Sequence, residues 1–134
     1  MPKADIQEIL AKYRKVAVVG LSPDPEKPSH EVAAYLQRVG YRIYPVNPSC
    51  GEILGEPCYA TLGDVPEEVE IVDIFRRSEF VPQIVEEAIA KGAKVIWMQE
   101  GIVNEAAAKR GEEAGLAVVM DRCMYKEHAR GGHR

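Results

Sequence analysis

The residues best suited to chemistry sit in several short turns rather than in one signature motif. Gly20-Leu21-Ser22 follows the apolar run Val16 to Val19, and Lys27 and Ser29 come soon after. A glycine at a strand end permits a sharp turn with exposed backbone N–H groups. A hydroxyl, an ammonium and a helix N-terminus beside it would complete a cradle for phosphate oxygens. The plainer alternative is a strand-to-helix turn next to a solvated lysine. The stretch is not GxGxxG, and no Gly-Lys-Ser/Thr triplet follows it, which argues against ATP hydrolysis of the P-loop kind. Phe75-Arg76-Arg77 offers two guanidinium forks suited to phosphate oxygens, with an aromatic ring that packs on an adenine or closes a sheet end. The bland reading of the arginines is a solvated face paired with Glu79. Glu100-Gly101 places a carboxylate beside a glycine that tolerates close approach of a ligand, or simply turns the chain.

Asn47-Pro48 discriminates among cofactors. NAD-binding domains carry Asp or Glu at this point to hold ribose hydroxyls. Here the first acid is Glu52, inside a turn-rich loop. Asn47 either hydrogen-bonds a ribose or adenine, or makes an Asx-turn before Pro48. Cys123 and His128 form a conceivable nucleophile–base pair that nothing in the sequence orients. Cys123, His128 and His133, with Cys50 or Cys58, match no standard zinc spacing. No metal is expected, and no residue is assigned a catalytic role.

The elements that must position these residues alternate in type. Asp5 caps a first helix carrying Ile6, Ile9 and Leu10 on one stripe. Strand 1 is Val16–Val19. Ser29 reads as the N-cap of a helix with Val32, Ala33, Leu36 and Val39 on one face, stopped by Gly40. Strand 2 is residues 41–46, with Pro45 near its end. A loop-rich stretch over 52–66 holds a small turn at 54–57. Strand 3 is 71–75, with Asp73 inside it. A helix starting at Phe80-Val81-Pro82 presents Ile84, Val85, Ala88 and Ile89. Strand 4 is 94–98, Asn104 caps the next helix, and strand 5 is 116–120. This alternation predicts an α/β, Rossmann-like three-layer fold. Its sheet is mainly parallel and five-stranded, in the order 3-2-1-4-5, with helices on both faces. A ligand then lies beyond the carboxyl ends of the strands, at the switch between strands 1 and 4.

Composition limits the partners. A chain of 134 residues fits a single domain, with a core over about 5–125 and a flexible tail over 126–134. The net charge of −4 and the scattered basic residues argue against nucleic acid. No run approaches the roughly 20 apolar residues of a membrane span. The N-terminus lacks a signal-peptide core, and three cysteines without CxxC spacing fit a reducing compartment, so a cytoplasmic location is expected.

Taken in order, VAVVGLS, KPSHEVAAYLQRVGYRIYPVNP, IVDIFRR and VIWMQEGI resemble the small CoA-binding proteins. These are similar to the N-terminal CoA-binding domain of the succinyl-CoA synthetase alpha subunit. The resemblance covers about residues 5–125 and implies coenzyme A as the cofactor. It implies that Gly20, Leu21, Ser22 and Lys27 line the phosphates, with Ser29 at the adjoining helix start. It implies that Asn47 and Pro48 flank the adenosine, and that Phe75, Arg76, Arg77, Glu100 and Gly101 contact CoA. The first loop departs from the synthetase pattern, being extended by Pro23, Pro25 and Pro28 and lacking a second glycine. No histidine matches the phosphohistidine loop of such synthetases, so a complete ligase is not expected. Binding of CoA or acyl-CoA without catalysis is the leading expectation. A NAD(P)-binding redox sensor, an enzyme acting on a CoA thioester and a partner subunit remain alternatives, and a homodimer or an unidentified protein partner stays open.

Overall fold

The computed structural model of the chain describes residues 5–49 and 51–131. In chain order its main elements are α1 (Ile6–Lys12), β1 (Lys15–Val19), α2 (Pro28–Arg38), β2 (Arg42–Val46), β3 (Glu52–Ile53) and β4 (Glu56–Pro57). Then follow β5 (Ile71–Ile74), α3 (Val81–Lys91), β6 (Val95–Met98), α4 (Glu105–Glu113), β7 (Ala117–Val119) and α5 (Met124–Arg130). The local signals explain these boundaries. Asp5 Oδ1 accepts the Glu8 N–H and Asn104 Oδ1 accepts the Ala107 N–H, each satisfying an orphan donor of a first turn. Pro82 lies in the first turn of α3, and Gly92 ends that helix in the left-handed conformation, φ +83°. The small turn expected at 54–57 joins β3 to β4, with positive φ at both Leu54 and Gly55.

Five strands form one parallel sheet, covered by helices on both faces. Successive residues of a strand point to opposite faces, and the core splits accordingly. Val16, Val18, Ile71, Val95 and Trp97 pack with Leu10, Val32, Leu36 and Met124, residues of α1, α2 and α5. Ala17, Val19, Val72, Ile74, Ile96 and Met98 pack with Val81, Ile84, Val85, Ala88 and Ala107, residues of α3 and α4. This is the Rossmann-like three-layer class.

The strand order corrects the expectation. Counting the five sheet strands along the chain, it is 2-1-3-4-5 rather than 3-2-1-4-5 (β2-β1-β5-β6-β7). β5 lies in the centre, paired with β1 and β6, and all four of its residues are buried. β2 is the edge, and Pro45 explains why. Pro45 O faces outward and accepts the Tyr59 N–H at 2.9 Å. Its ring nitrogen lies on that same side, where no strand requires a donor. An interior β2 would leave a gap in a ladder there. The switch between crossover directions therefore falls between β1 and β5, not between strands 1 and 4.

Two further expectations change. Ser29 is not the N-cap of α2. Lys27 holds that position, and Ser29 is buried within the first turn. The C-terminal segment is structured well beyond residue 125. α5 runs to Arg130 and lies against α1 and α2. Gln7 Nε2 donates to Glu127 O, and the His128 ring is 1% exposed. That ring shares a 2.7 Å hydrogen bond with the Tyr35 hydroxyl and meets Tyr35 and Tyr41 edge-on. Tyr125 stacks on Tyr35 at 4.0 Å. An aromatic cluster of this kind supplies the apolar burial that holds a short helix, which is too short to be stable alone. Residues 132–134 lie outside the described residues.

Asp73 sits in the middle of β5, between Val18 and Trp97, and is wholly buried. Among the described residues, neither carboxyl oxygen has a hydrogen-bond partner. Burial alone pushes its pKa well above the ordinary carboxylate range. The folded chain therefore keeps this proton at pH values where the unfolded chain, with a pKa of about 3.9, has lost it. The stabilising contribution of Asp73 is complete below about pH 4 and is lost as pH rises toward the folded pKa.

Two stability measurements follow. The advantage of Asp73→Asn over the parent in urea unfolding should grow between about pH 4.5 and pH 7.5, by up to ~1.4 kcal/mol per pH unit; a difference independent of pH would contradict a raised Asp73. His128→Ala should lower the unfolding free energy by about 2–4 kcal/mol, because it empties a buried site and strips Tyr35 of its partner. A change under about 0.5 kcal/mol would show that α5 is not held through this ring.

Candidate functional site

The carboxyl ends of β1, β2 and β5 converge on Gly20. Gly20 N donates to Val46 O at 3.0 Å and Phe75 N donates to Val19 O at 2.8 Å, so the three strand ends are tied together. Gly20 has φ +90°, and a Cβ there would lie 2.7 Å from Phe75 O and 3.0 Å from Arg76 Cδ. No other residue fits this crossing without moving backbone. The Arg76 side chain thus lies directly over the glycine turn. Its guanidinium carbon stands 4.4 Å from the centre of the Phe80 ring, and Arg77 reaches the same ring at 5.6 Å. Both arginines are exposed.

Arg76 divides two clefts. The larger, about 640 Å³, is walled by Pro28, Glu31 and Val32 of α2, by Phe75 to Ser78, by Gln99 to Ile102 after β6, and by Cys123 and Lys126 at the start of α5. The smaller, about 270 Å³, includes Val46, Pro48, Thr61, Phe80 and Gln83. Of the residues singled out in the sequence, Phe75, Arg76, Arg77, Glu100 and Gly101 line the larger cleft, and Pro48 lines the smaller one with Arg76.

The first loop is braced from within. Ser22 N donates to Ser29 Oγ at 3.0 Å, Asp24 N donates to Ser22 Oγ at 3.0 Å, and Nδ1 of His30 is 3.0 Å from Ser22 O. Ser29 therefore fastens the loop to α2 instead of capping the helix. The Leu21 side chain is buried in the core, so only its main chain can meet a ligand. Lys27, at the N-cap of α2, is exposed and takes part in no ion pair among the described residues.

Asn47 braces two turns. Its Nδ2 donates to Leu21 O at 2.8 Å and its Oδ1 accepts the Ser49 N–H at 2.8 Å. Both ends of the amide are engaged in tying the β1 and β2 turns together, and the second bond is the Asx-turn. Glu100 pairs with Lys126 at 2.8 Å, an exposed bridge that raises the lysine pKa through the carboxylate hydrogen bond. Gly101, at φ +88°, donates its N–H to Asp121 Oδ1 at 2.7 Å.

Sequence reasoning missed Lys126, whereas Gln99 and Cys123 stood among the residues immediately after strands 4 and 5, where function was expected, and both line the larger cleft. Gln99 is 4% exposed, and its Oε1 accepts the Met124 N–H at 3.1 Å. An N–H donor requires the oxygen on that side, which turns Nε2 the other way. Nε2 meets no protein acceptor among the described residues and keeps access to solvent at the cleft wall. The available signal was position alone: Gln99 immediately follows β6. Cys123, 8% exposed, and Lys126 belong to a helix that the expected tail boundary divided. Among the described residues no three His, Cys, Asp or Glu side chains gather to hold a metal, and no helix is long and apolar enough to cross a membrane. The zinc alternative also involved Cys50 and His133, which lie outside the described residues.

Comparison with known proteins places this architecture. The chain is 43% identical to uncharacterized protein YneT of Bacillus subtilis, covering 95% of this chain and 94% of that one. A hypothetical protein from Pyrococcus horikoshii shares 46% identity and superposes with a TM-score of 0.92 over 97% of this chain and 92% of its own. The chain is 36% identical to an ADP-forming acetate–CoA ligase II of Archaeoglobus fulgidus over 75% of its length, but spans only 15% of that ligase. The matched family pattern covers residues 14–129, from the start of β1 through almost all of α5. The chain belongs to the CoA binding domain family.

Proposed function

We propose that the chain binds coenzyme A or an acyl-CoA across the carboxyl ends of β1, β5 and β6, with binding rather than ligation as its role. The observation that carries this reading is the Arg76 side chain held over the Gly20 turn, its guanidinium against the Phe80 ring and a cleft on each side. Such an arrangement suits an elongated ligand whose phosphates lie at the middle and whose two ends occupy the two clefts. Gly20 lets the turn close against Phe75 O beneath the Arg76 side chain, which fixes where that side chain stands. Arg76 and Arg77 supply fork donors, and Lys27 supplies a point charge near the start of α2. Ser22 contributes its hydroxyl proton, because its Oγ already accepts from Asp24.

The occupied Asn47 supports CoA over NAD. The residue after β2 uses both ends of its amide within the fold, and no carboxylate stands there for a ribose diol. The free thiol of Cys123 supports a reducing, cytoplasmic setting.

Calorimetric titration with CoA, NAD and NADP in parallel tests the reading. CoA should bind and the dinucleotides should not. Arg76→Ala and Lys27→Ala should each weaken CoA about 10- to 100-fold, as expected for loss of a charge-assisted contact. Binding of NAD in place of CoA would sink the proposal. Unchanged CoA affinity in both variants would remove the phosphates from this turn.

A further inference from the structure

The larger cleft holds a polar group that the fold itself does not consume. Gln99 is almost wholly buried and lines the cleft, and its Nε2, opposite the oxygen that accepts from Met124, has no protein acceptor among the described residues. A buried side chain with its oxygen pinned by a backbone N–H is a preorganised donor, held in place before any ligand arrives. The residue that pins it, Met124, directly follows Cys123, which lines the same cleft. Lys126, also on the wall, is bridged to Glu100 at 2.8 Å. A hydrogen-bond donor, a thiol and an ammonium therefore share one cavity, on the opposite side of Arg76 from the cleft that includes Pro48.

We propose that this cavity is an acyl-transfer site, in which Cys123 takes the acyl group of a bound thioester while Gln99 Nε2 holds the thioester carbonyl oxygen. The inference rests on the CoA reading and goes beyond it, from binding to group transfer. Cys123 first loses its thiol proton to solvent. The thiolate then attacks the acyl carbon, forming a new C–S bond as the carbonyl electron pair moves onto the oxygen beside Gln99 Nε2. Collapse breaks the C–S bond to CoA, whose sulfur leaves with that electron pair and takes a proton from solvent. One thioester replaces another, so the step is reversible and needs no oxidant or energy source.

Acetyl-CoA is a direct probe. Intact-mass spectrometry of the whole chain after incubation should show the gain of one acetyl group, removed by neutral hydroxylamine and mapped to Cys123. Cys123→Ala should abolish the adduct, whereas Cys58→Ala should leave it. Gln99→Glu keeps an oxygen for the Met124 N–H and removes the donor. It should slow acetylation about 10²-fold with CoA affinity changed far less. Free CoA should shield Cys123 from iodoacetamide. Melting curves of all three variants establish that each is folded. CoA binding without acetylation of Cys123, or acetylation that Gln99→Glu leaves at full rate, overturns the inference and spares the binding proposal. Absence of CoA binding in calorimetry overturns both.

Discussion

Everything at the functional end of this fold depends on one close approach. The main chain at Gly20 passes so near Phe75 O that a Cβ would be only 2.7 Å away. Two hydrogen bonds lock the crossing, Gly20 N to Val46 O and Phe75 N to Val19 O. Because β2, β1 and β5 end at the same level, their turns crowd together, and Arg76 has no path except over the glycine. A side chain at position 20 would push against backbone, not against a flexible neighbour. The two clefts are consequences of this crossing, since Arg76 walls both of them.

A second layer of interactions makes the crossing rigid. Asn47 clamps the first turn to the second, and Ser29 clamps the proline-extended loop to α2. These polar residues are spent on each other and on main-chain groups. Gln99 is built the same way on the far side, pinned by the start of α5. The difference is that Gln99 keeps one end available. Where the fold satisfies a polar side chain completely, the side chain shapes the site; where it leaves a donor turned to the cavity, the side chain can meet a ligand.

Much of the class was legible from periodicity. The four-to-five-residue apolar runs, the Gly stops and the Asp5 and Asn104 caps specify strands and helices locally, so the alternation and the parallel three-layer class could be read. Strand order was less accessible because it depends on which strand needs neighbours on both edges. Pro45 held that information: a residue without an N–H belongs where no ladder needs one, and placing it near the end of β2 does not free that strand for an interior position. Ser29 matched the composition of an N-cap, but the loop before it folds back to claim its oxygen, a tertiary contact invisible to local pattern. α5 looked like a tail because its sequence, MYKEHAR, is polar along its length. Its anchors are Met124 in the core and a histidine and a tyrosine that meet aromatic partners far away in the chain. The same truncation hid Lys126.

The central claim is that the turns at the carboxyl edge of the sheet receive coenzyme A. Amide chemical-shift mapping during a CoA titration tests it most directly, because the sheet has a clear opposite edge for comparison. The account predicts perturbations concentrated at Gly20 to Ser22, Arg76 to Ser78 and Gln99 to Gly101, with Arg14, Glu70 and Lys94 at the amino edge undisturbed. Shifts centred on that amino edge, or none at saturating CoA, would contradict it.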